Sequence, residues 1–428
     1  MARWEIGELI HFVRSNSPFY RALYSSLPER VSDIDILPIL DQSEFWKANG
    51  LENNSVLTGP MHDGIVFKSG GTTGSPKFSV FSKEEWAAFN VIFGRGIAAA
   101  NIKAGDRVAN LFYAGQLYGS FLFITKSLEE SPLDVLQLPV GGGTSVEETA
   151  QIIADFGANV IAGVPTTIMN LAEYALAKGL SKRFKLERVL FGGEAMYPDQ
   201  RERLVEIFPG VQALSIGYAS TDAGPLGYVD ASCGPNEHRT FGSDTILEIV
   251  DEETRKPIEE TGREGLLIAT DLGRSLMPII RYPVGDRGLW LEPQGARDRK
   301  FLLMGRSEEA AKVGLVKLYV EDVRKILLDF KKELGAANFQ MVVVHRDRLD
   351  GLVLRVAPAG GAKPDGATAE KVIGAIHAVR PLYEQFVREK LVHAMRVEWV
   401  GMDQLETNPR TGKMRKVIDK RMSVEGGH

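Results

Sequence analysis

From Val66 onward, short runs rich in β-branched and aromatic residues alternate with longer segments whose apolar positions recur at helical spacing. RVANLFY (107–113), ANVIAGV (158–164) and RVLFGG (188–193) have strand length. KEEWAAFNVIFGRGIAAA (83–100), SVEETAQIIADF (145–156) and TTIMNLAEYALAKG (166–179) have helix length and are amphipathic. The alternation predicts an α/β architecture with substantially parallel sheet. Residues 1–60 read as helix and loop, broken at the prolines of NSPFY and ILPIL. Between about Ser243 and Trp290 the texture changes to strand-like pieces such as TILEIVD and EGLLIAT, which predicts a β-rich subdomain. After Arg306 two helical stretches, YVEDVRKILLDFKKEL and ATAEKVIGAIHAVRPLYEQFVREKL, surround the strands FQMVVVH and GLVLRVA. This is the pattern of a small α+β domain, with the Gly/Pro-rich APAGGAKPDGA as a loop inside it. The expected division is a large domain at 1–305 and a small one at 306–428.

Composition narrows the classes. The chain has 428 residues, 44% of them hydrophobic, enough for two or three domains with sizeable cores. A net charge of −5 and the absence of a long Lys/Arg block argue against a nucleic-acid partner. The single cysteine, Cys233, excludes an intramolecular disulfide and a Cys-rich zinc site. The sequence has no signal-peptide-like start and no run of about 18 apolar residues, so the expectation is a cytoplasmic protein with no membrane partner.

The segment VFKSGGTTGSPKFSVFS (66–82) carries the first candidate chemistry. It is not a Walker loop, because Gly74 is followed by Ser75 and Pro76 and Phe78 follows Lys77. Nor do Gly70, Gly71 and Gly74 have dinucleotide-fingerprint spacing. What remains is a set of backbone N–H groups unobstructed by Cβ, with Ser69, Thr72, Thr73 and Ser75 as hydroxyl donors and Lys77 as a point charge. A polar hairpin turn has the same composition, and the order Ser-Gly-Gly-Thr-Thr-Gly-Ser-Pro-Lys is what separates the two readings.

In that order the chain resembles the acyl-adenylate-forming superfamily, and within it the phenylacetate–CoA ligase branch; it is also similar to phenazine-tailoring adenylating ligases. The likeness runs from SPFYRALY and LPILDQSEF to NPRTGKMRKVID. The resemblance implies a large, multi-subdomain adenylating domain followed by a small mobile domain. It assigns Ser69, Gly70, Gly71, Thr72, Thr73, Gly74 and Lys77 to the β- and γ-phosphates of ATP. In FGGEAM, Gly193, Glu194 and Ala195 would lie against adenine. In GYASTDAGPLGY, Tyr218 would stack on adenine, Thr221 touch the α-phosphate and Asp222 ligate Mg²⁺, with Asp standing where the family has Glu. In MPIIRYPVGDRG, Asp286 would accept from the ribose hydroxyls, and Pro283 replaces a residue that is basic in many relatives. Arg306 of GRSEE would face ribose and phosphate, and Glu308 would be the hinge. Lys413 of TGK would complete the adenylation site, while Lys416 and Lys420 read as solvated surface charges.

The implied reaction joins a carboxylic acid to AMP from Mg·ATP with release of pyrophosphate, then transfers the acyl group to coenzyme A. LFYAGQLYGSFLF (111–123) would supply part of an aryl or aryl-acetic acid pocket, and Gln116, the polar side chain at the centre of that stretch, would face a polar ring substituent. A carrier protein or an amine is the alternative acceptor, a degenerate ATP-binding regulatory protein or a simple ATPase the alternative function, and a homodimer is compatible with the branch. Cys233 and His238 of CGPNEH lie where some relatives carry zinc, but a lone Cys and His cannot fill a tetrahedral site, so no zinc is expected.

Overall fold

The structure is a computed structural model that describes residues 3–31, 33–69, 77–306, 310–335, 337–359 and 364–421, the Arg306 side chain excepted. The expected phosphate-loop residues Gly70, Gly71, Thr72, Thr73 and Gly74, the expected hinge Glu308, and part of APAGGAKPDGA lie outside these residues.

The predicted parallel sheet is present. Its strands, in spatial order, are Leu136–Leu138, Arg107–Asn110, Val160–Gly163, Arg188–Phe191 and Gln212–Ser215, every neighbouring pair parallel. The two central strands Val160–Gly163 and Arg188–Phe191 are buried throughout, which is why they read as continuous apolar runs rather than alternating ones. Successive side chains still point to opposite faces: Val160, Ala162 and Leu190 enter one core, Ile161, Val189 and Phe191 another. The helix Lys83–Ala99 covers the first of these faces and starts at a capping box between Ser82 and Glu85. Within it, Gly94 is fixed by close approach, since a Cβ there would lie 2.4 Å from the Ser127 carbonyl oxygen. The helix Val146–Phe156 runs from an N-cap at Ser145 to Gly157 in the left-handed conformation.

The β-rich region is larger than expected. Seven strands form one antiparallel sheet, in the order Thr245–Val250, Glu264–Asp271, Tyr282–Trp290, Lys300–Arg306, Glu237–Thr240, Gly224–Tyr228 and Tyr218–Ser220. It therefore spans 218–306 rather than 243–290. Its last strand ends at Arg306, beside the expected domain division. The helices Ile6–Asn16, Pro18–Leu23 and Gln42–Ala48 pack on this sheet through Leu9, Val13, Tyr20 and Phe45.

After residue 310 a separate core appears, built from residues between Ala311 and Val417. Its mixed sheet runs Arg396–Trp399, Leu349–Ala357, Asn338–Arg346 and Val417–Asp419. The stretch predicted as one long helix is divided into Gly366–Val379 and Pro381–Arg388. Pro381 disfavours helical backbone at the preceding residue, and Arg380 accordingly sits at φ −129°, ψ 69°. Among the described residues no helix is long and apolar enough to cross a membrane.

Candidate active site

The phosphate-loop segment is carried by an antiparallel hairpin, Ile65–Ser69 and Lys77–Phe81, whose register places Ser69 opposite Lys77. Asp222 ties the hairpin together. Its Oδ1 accepts the Ser69 hydroxyl at 2.6 Å and the Ser79 hydroxyl at 3.0 Å, and its Oδ2 faces the Tyr282 hydroxyl at 3.5 Å. Arg274 donates to the Asp222 main-chain oxygen at 2.6 Å, so the buried turn that also holds Thr221 is fixed from below. Among the described residues no three acidic, His or Cys side chains converge as a ready-made metal cage. Asp222 offers one carboxylate beside the hairpin, with the Ser69 and Ser79 hydroxyl oxygens next to it. That suits Mg²⁺, which keeps several waters and takes one or two protein carboxylates.

Lys77 donates to Gln42 Oε1 at 3.1 Å and lies over the Trp46 ring, 5.3 Å from its centroid. The Gln42 amide in turn donates to the carbonyl of Pro283. Pro283 sits where the pairing with Glu264–Asp271 shifts register, a place where its missing N–H is tolerated. The proline that departs from the family pattern thus serves as an acceptor in the support of Lys77.

The residues expected on the nucleotide side lie on neighbouring elements. The Tyr218 hydroxyl donates to Asp286 Oδ2 at 2.6 Å, and strand register places Asp286 opposite Arg306. The Tyr218 ring lies 5.9 Å from the ring of His238 and 6.2 Å from that of Phe301. Cys233 meets Asp230 Oδ1 at 3.5 Å, whereas His238 faces Ser215 and Asn236, so the two do not converge. Since a carbonyl can only accept, His238 Nδ1–H donates to Asn236 at 3.2 Å and Nε2 accepts the Ser215 hydroxyl at 3.0 Å.

Burial lowers the His238 pKa from 6.5 to about 4. The folded protein therefore binds fewer protons than the unfolded chain between those values. The contribution is complete above pH 6.5 and is lost as pH falls toward 4, to a total of about 3 kcal/mol. Chemical denaturation at a series of pH values should show the stability advantage of wild type over H238Q shrinking across that window. An advantage that stays constant would contradict a buried neutral imidazole.

The late Gly-Lys motif is brought to the same face. The turn at 408–414 closes through Asn408 N donating to Lys413 O at 2.8 Å, with Gly412 at φ +66°. The Lys413 side chain lies across Gly193: a Cβ on Gly193 would be 2.8 Å from Lys413 Cε and 3.3 Å from Nζ. Further contacts hold the turn against earlier parts of the chain. Arg410 donates to the Lys68 carbonyl at 2.9 Å, near the loop end of the hairpin, and lies over the Tyr118 ring. The Tyr113 ring fits between Gly142 and Gly412, its hydroxyl 3.0 Å from Thr167 Oγ1. Met414 N donates to Glu194 Oε1 at 2.6 Å.

The structure thus brings together Lys413, Gly193 and Glu194; separately, it joins Tyr218 to Asp286, and Ser69 to Asp222. Ala195 is exposed next to this group. Sequence reasoning missed Gln42, Thr166 and Arg410, and placed Tyr113 only within a pocket wall. Gln116 is exposed on a left-handed turn at φ 51°. Lys416 is half-buried over the Phe339 ring rather than fully solvated, because its aliphatic stem has apolar surface to cover. A cavity of about 210 Å³ opens where the two halves meet, lined by Tyr113, Gly142, Thr166, Asn170, Met402 and Gly412 among others.

Residues 65–277 match the family model of AMP-binding enzymes. The chain is 26% identical to the phenylacetate–coenzyme A ligase of Thermus thermophilus over 97% of this chain and 95% of that protein. It is 25% identical to the indoleacetate–lysine synthetase of Pseudomonas savastanoi over 63% of this chain and 65% of that protein. The fold is similar to that of 2-hydroxyisobutyryl-CoA ligase in its postadenylation state, with a TM-score of 0.69 at 19% identity over 96% of this chain and 88% of that one.

Proposed function

We infer the activity from this premise: the chain belongs to the acyl-adenylate-forming superfamily, in its phenylacetate–CoA ligase-like branch. It is an AMP-forming acid–thiol ligase. A carboxylate oxygen attacks the α-phosphorus of ATP, the bond from that phosphorus to the bridging oxygen breaks, and pyrophosphate leaves with the electron pair. The sulfur of coenzyme A, its proton given up, then attacks the acyl carbon and AMP departs. The acid class proposed is aryl or aryl-acetic.

The residue roles follow from charge. Two anions must meet in the first step, so a cation that reaches both lowers the barrier; Lys413 is proposed for it, and Thr221 for the α-phosphate. Ser69 through Gly74 with Lys77 would hold the leaving phosphates, Tyr218 and the backbone at Gly193–Ala195 the adenine, and Asp286 with Arg306 the ribose. Asp222 would hold Mg²⁺, which when bound offsets triphosphate charge. Residues 1–305 and 306–428 are proposed as separate domains that pivot at Glu308. What supports this reading above all is the placement of Lys413, from the small domain, against Gly193 of the large one.

A second reading keeps the first step and replaces coenzyme A by an amine, since one relative is named for joining an acid to lysine. Pyrophosphate release should be measured with Mg·ATP across aryl, aryl-acetic and fatty acids, with and without coenzyme A. Continuous turnover only in its presence is the expected result. A single turnover indifferent to coenzyme A would favour the amine reading, and release of phosphate without any acid would remove both.

A further inference from the structure

The resemblance assigns Glu194 to adenine through its main chain, yet its side chain is turned elsewhere and fully engaged. Oε2 accepts the main-chain N–H of Thr166 at 3.2 Å and the Thr166 hydroxyl at 2.8 Å. Thr166 is the second residue of the helix Pro165–Ala177, whose N-cap Val164 offers no capping side chain. Glu194 supplies that cap from another element, at the end of the helix that favours a carboxylate. Its other oxygen accepts the main-chain N–H of Met414, 220 positions away and immediately after Lys413. One rigidly capped carboxylate therefore fixes the backbone next to the lysine, while the lysine side chain lies on the residue preceding Glu194.

Given the reading of Lys413 above, on which the inference rests, we propose that the Glu194 side chain is a positioning residue for acyl-adenylate formation alone. It sets the Lys413 turn on the nucleotide face through a bond between the two domains. That bond breaks when the small domain swings for thioester formation, and the Thr166 half keeps the carboxylate aimed for the next closure.

The substitution E194Q tests this with little change of shape. A carboxylate accepts at both oxygens, whereas an amide has one acceptor and one donor. With its oxygen on Thr166, its NH₂ group meets the Met414 N–H donor to donor. In the substrate-free full-length protein, amide hydrogen exchange should show reduced protection in the peptide 408–416. Acid-dependent ATP–pyrophosphate exchange, using the acid with fastest pyrophosphate release, should fall about ten- to hundredfold, the scale of one charge-assisted hydrogen bond. Conversion of the synthetic acyl-adenylate to thioester and the KM for ATP should each stay within about twofold, a range below the loss of one such bond.

Unchanged protection at 408–416 overturns the proposal. So do equal losses in both half-reactions with a lowered unfolding temperature, which mark a purely structural role. A raised KM for ATP with both steps slowed would instead make Glu194 an adenine contact. K413A, run alongside, separates the premises: if it leaves exchange intact, the Lys413 reading fails whatever E194Q does.

Discussion

Replacing Lys413 by alanine is expected to lower acid-dependent ATP–pyrophosphate exchange by about 10²- to 10³-fold, the cost of removing one preorganised charge from a developing transition state. ATP affinity should change little, because the triphosphate is assigned to the hairpin that carries Ser69 and Lys77. The fold should also persist. Lys413 joins its turn through main-chain atoms, with its carbonyl accepting from Asn408 and its N–H donating to Thr411 Oγ1 at 3.3 Å. Truncating the side chain removes neither bond. Transfer of a preformed acyl-adenylate to coenzyme A should survive as well, since in that step the nucleophile attacks the acyl carbon rather than the phosphorus. Exchange within twofold of wild type, with unfolding temperature unchanged, would end the assignment. Loss of nucleotide binding by titration calorimetry would move Lys413 from the reacting atoms to the ground state.

How such residues become visible differs from one to the next. Lys413 and Gly193 are legible because each stands in an ordered motif, and the parallel strands because burial on both faces makes them continuously apolar. The early part of the antiparallel sheet is not legible. Gly224–Tyr228 reads GPLGY, and both Gly and Pro are depleted in strands. Gly224 is there for space and backbone, with φ +81° and a Cβ position 2.2 Å from Asp271 Oδ2. The supports of the site are least legible of all. Gln42 meets Lys77 from 35 positions away, and Arg410 meets Lys68 from 342. Neither pair leaves a periodicity or a spacing in the sequence. Such contacts exist only once the hairpin, the N-terminal helices and the small domain have been assembled.

The small domain's docking should be equally sensitive to a single methyl group. Substituting Gly412 by alanine is expected to depress acyl-adenylate formation by about a hundredfold or more, through two costs that add. At φ +66° an L side chain is strained by about 1–2 kcal/mol. The new Cβ would also lie 2.1 Å from Tyr113 Cε2 and 2.2 Å from Cζ. Retreat of the ring is restricted on its far side, because Gly142 abuts its edge so closely that a Cβ there would be 2.2 Å away, and Thr167 holds its hydroxyl. Overpacking of this kind costs about 1–3 kcal/mol, and here the relief available is undocking of the turn rather than unfolding of either core. Thioester formation from the synthetic adenylate should then be spared. The steric part is separable by a double-mutant cycle. Y113A alone should slow adenylation, but in the G412A background it should cost nothing further or restore activity, because it removes the obstruction the methyl group meets. Strictly additive losses would mean that the two residues do not meet in the adenylating state, and the docked geometry would then have to be assigned to a different step.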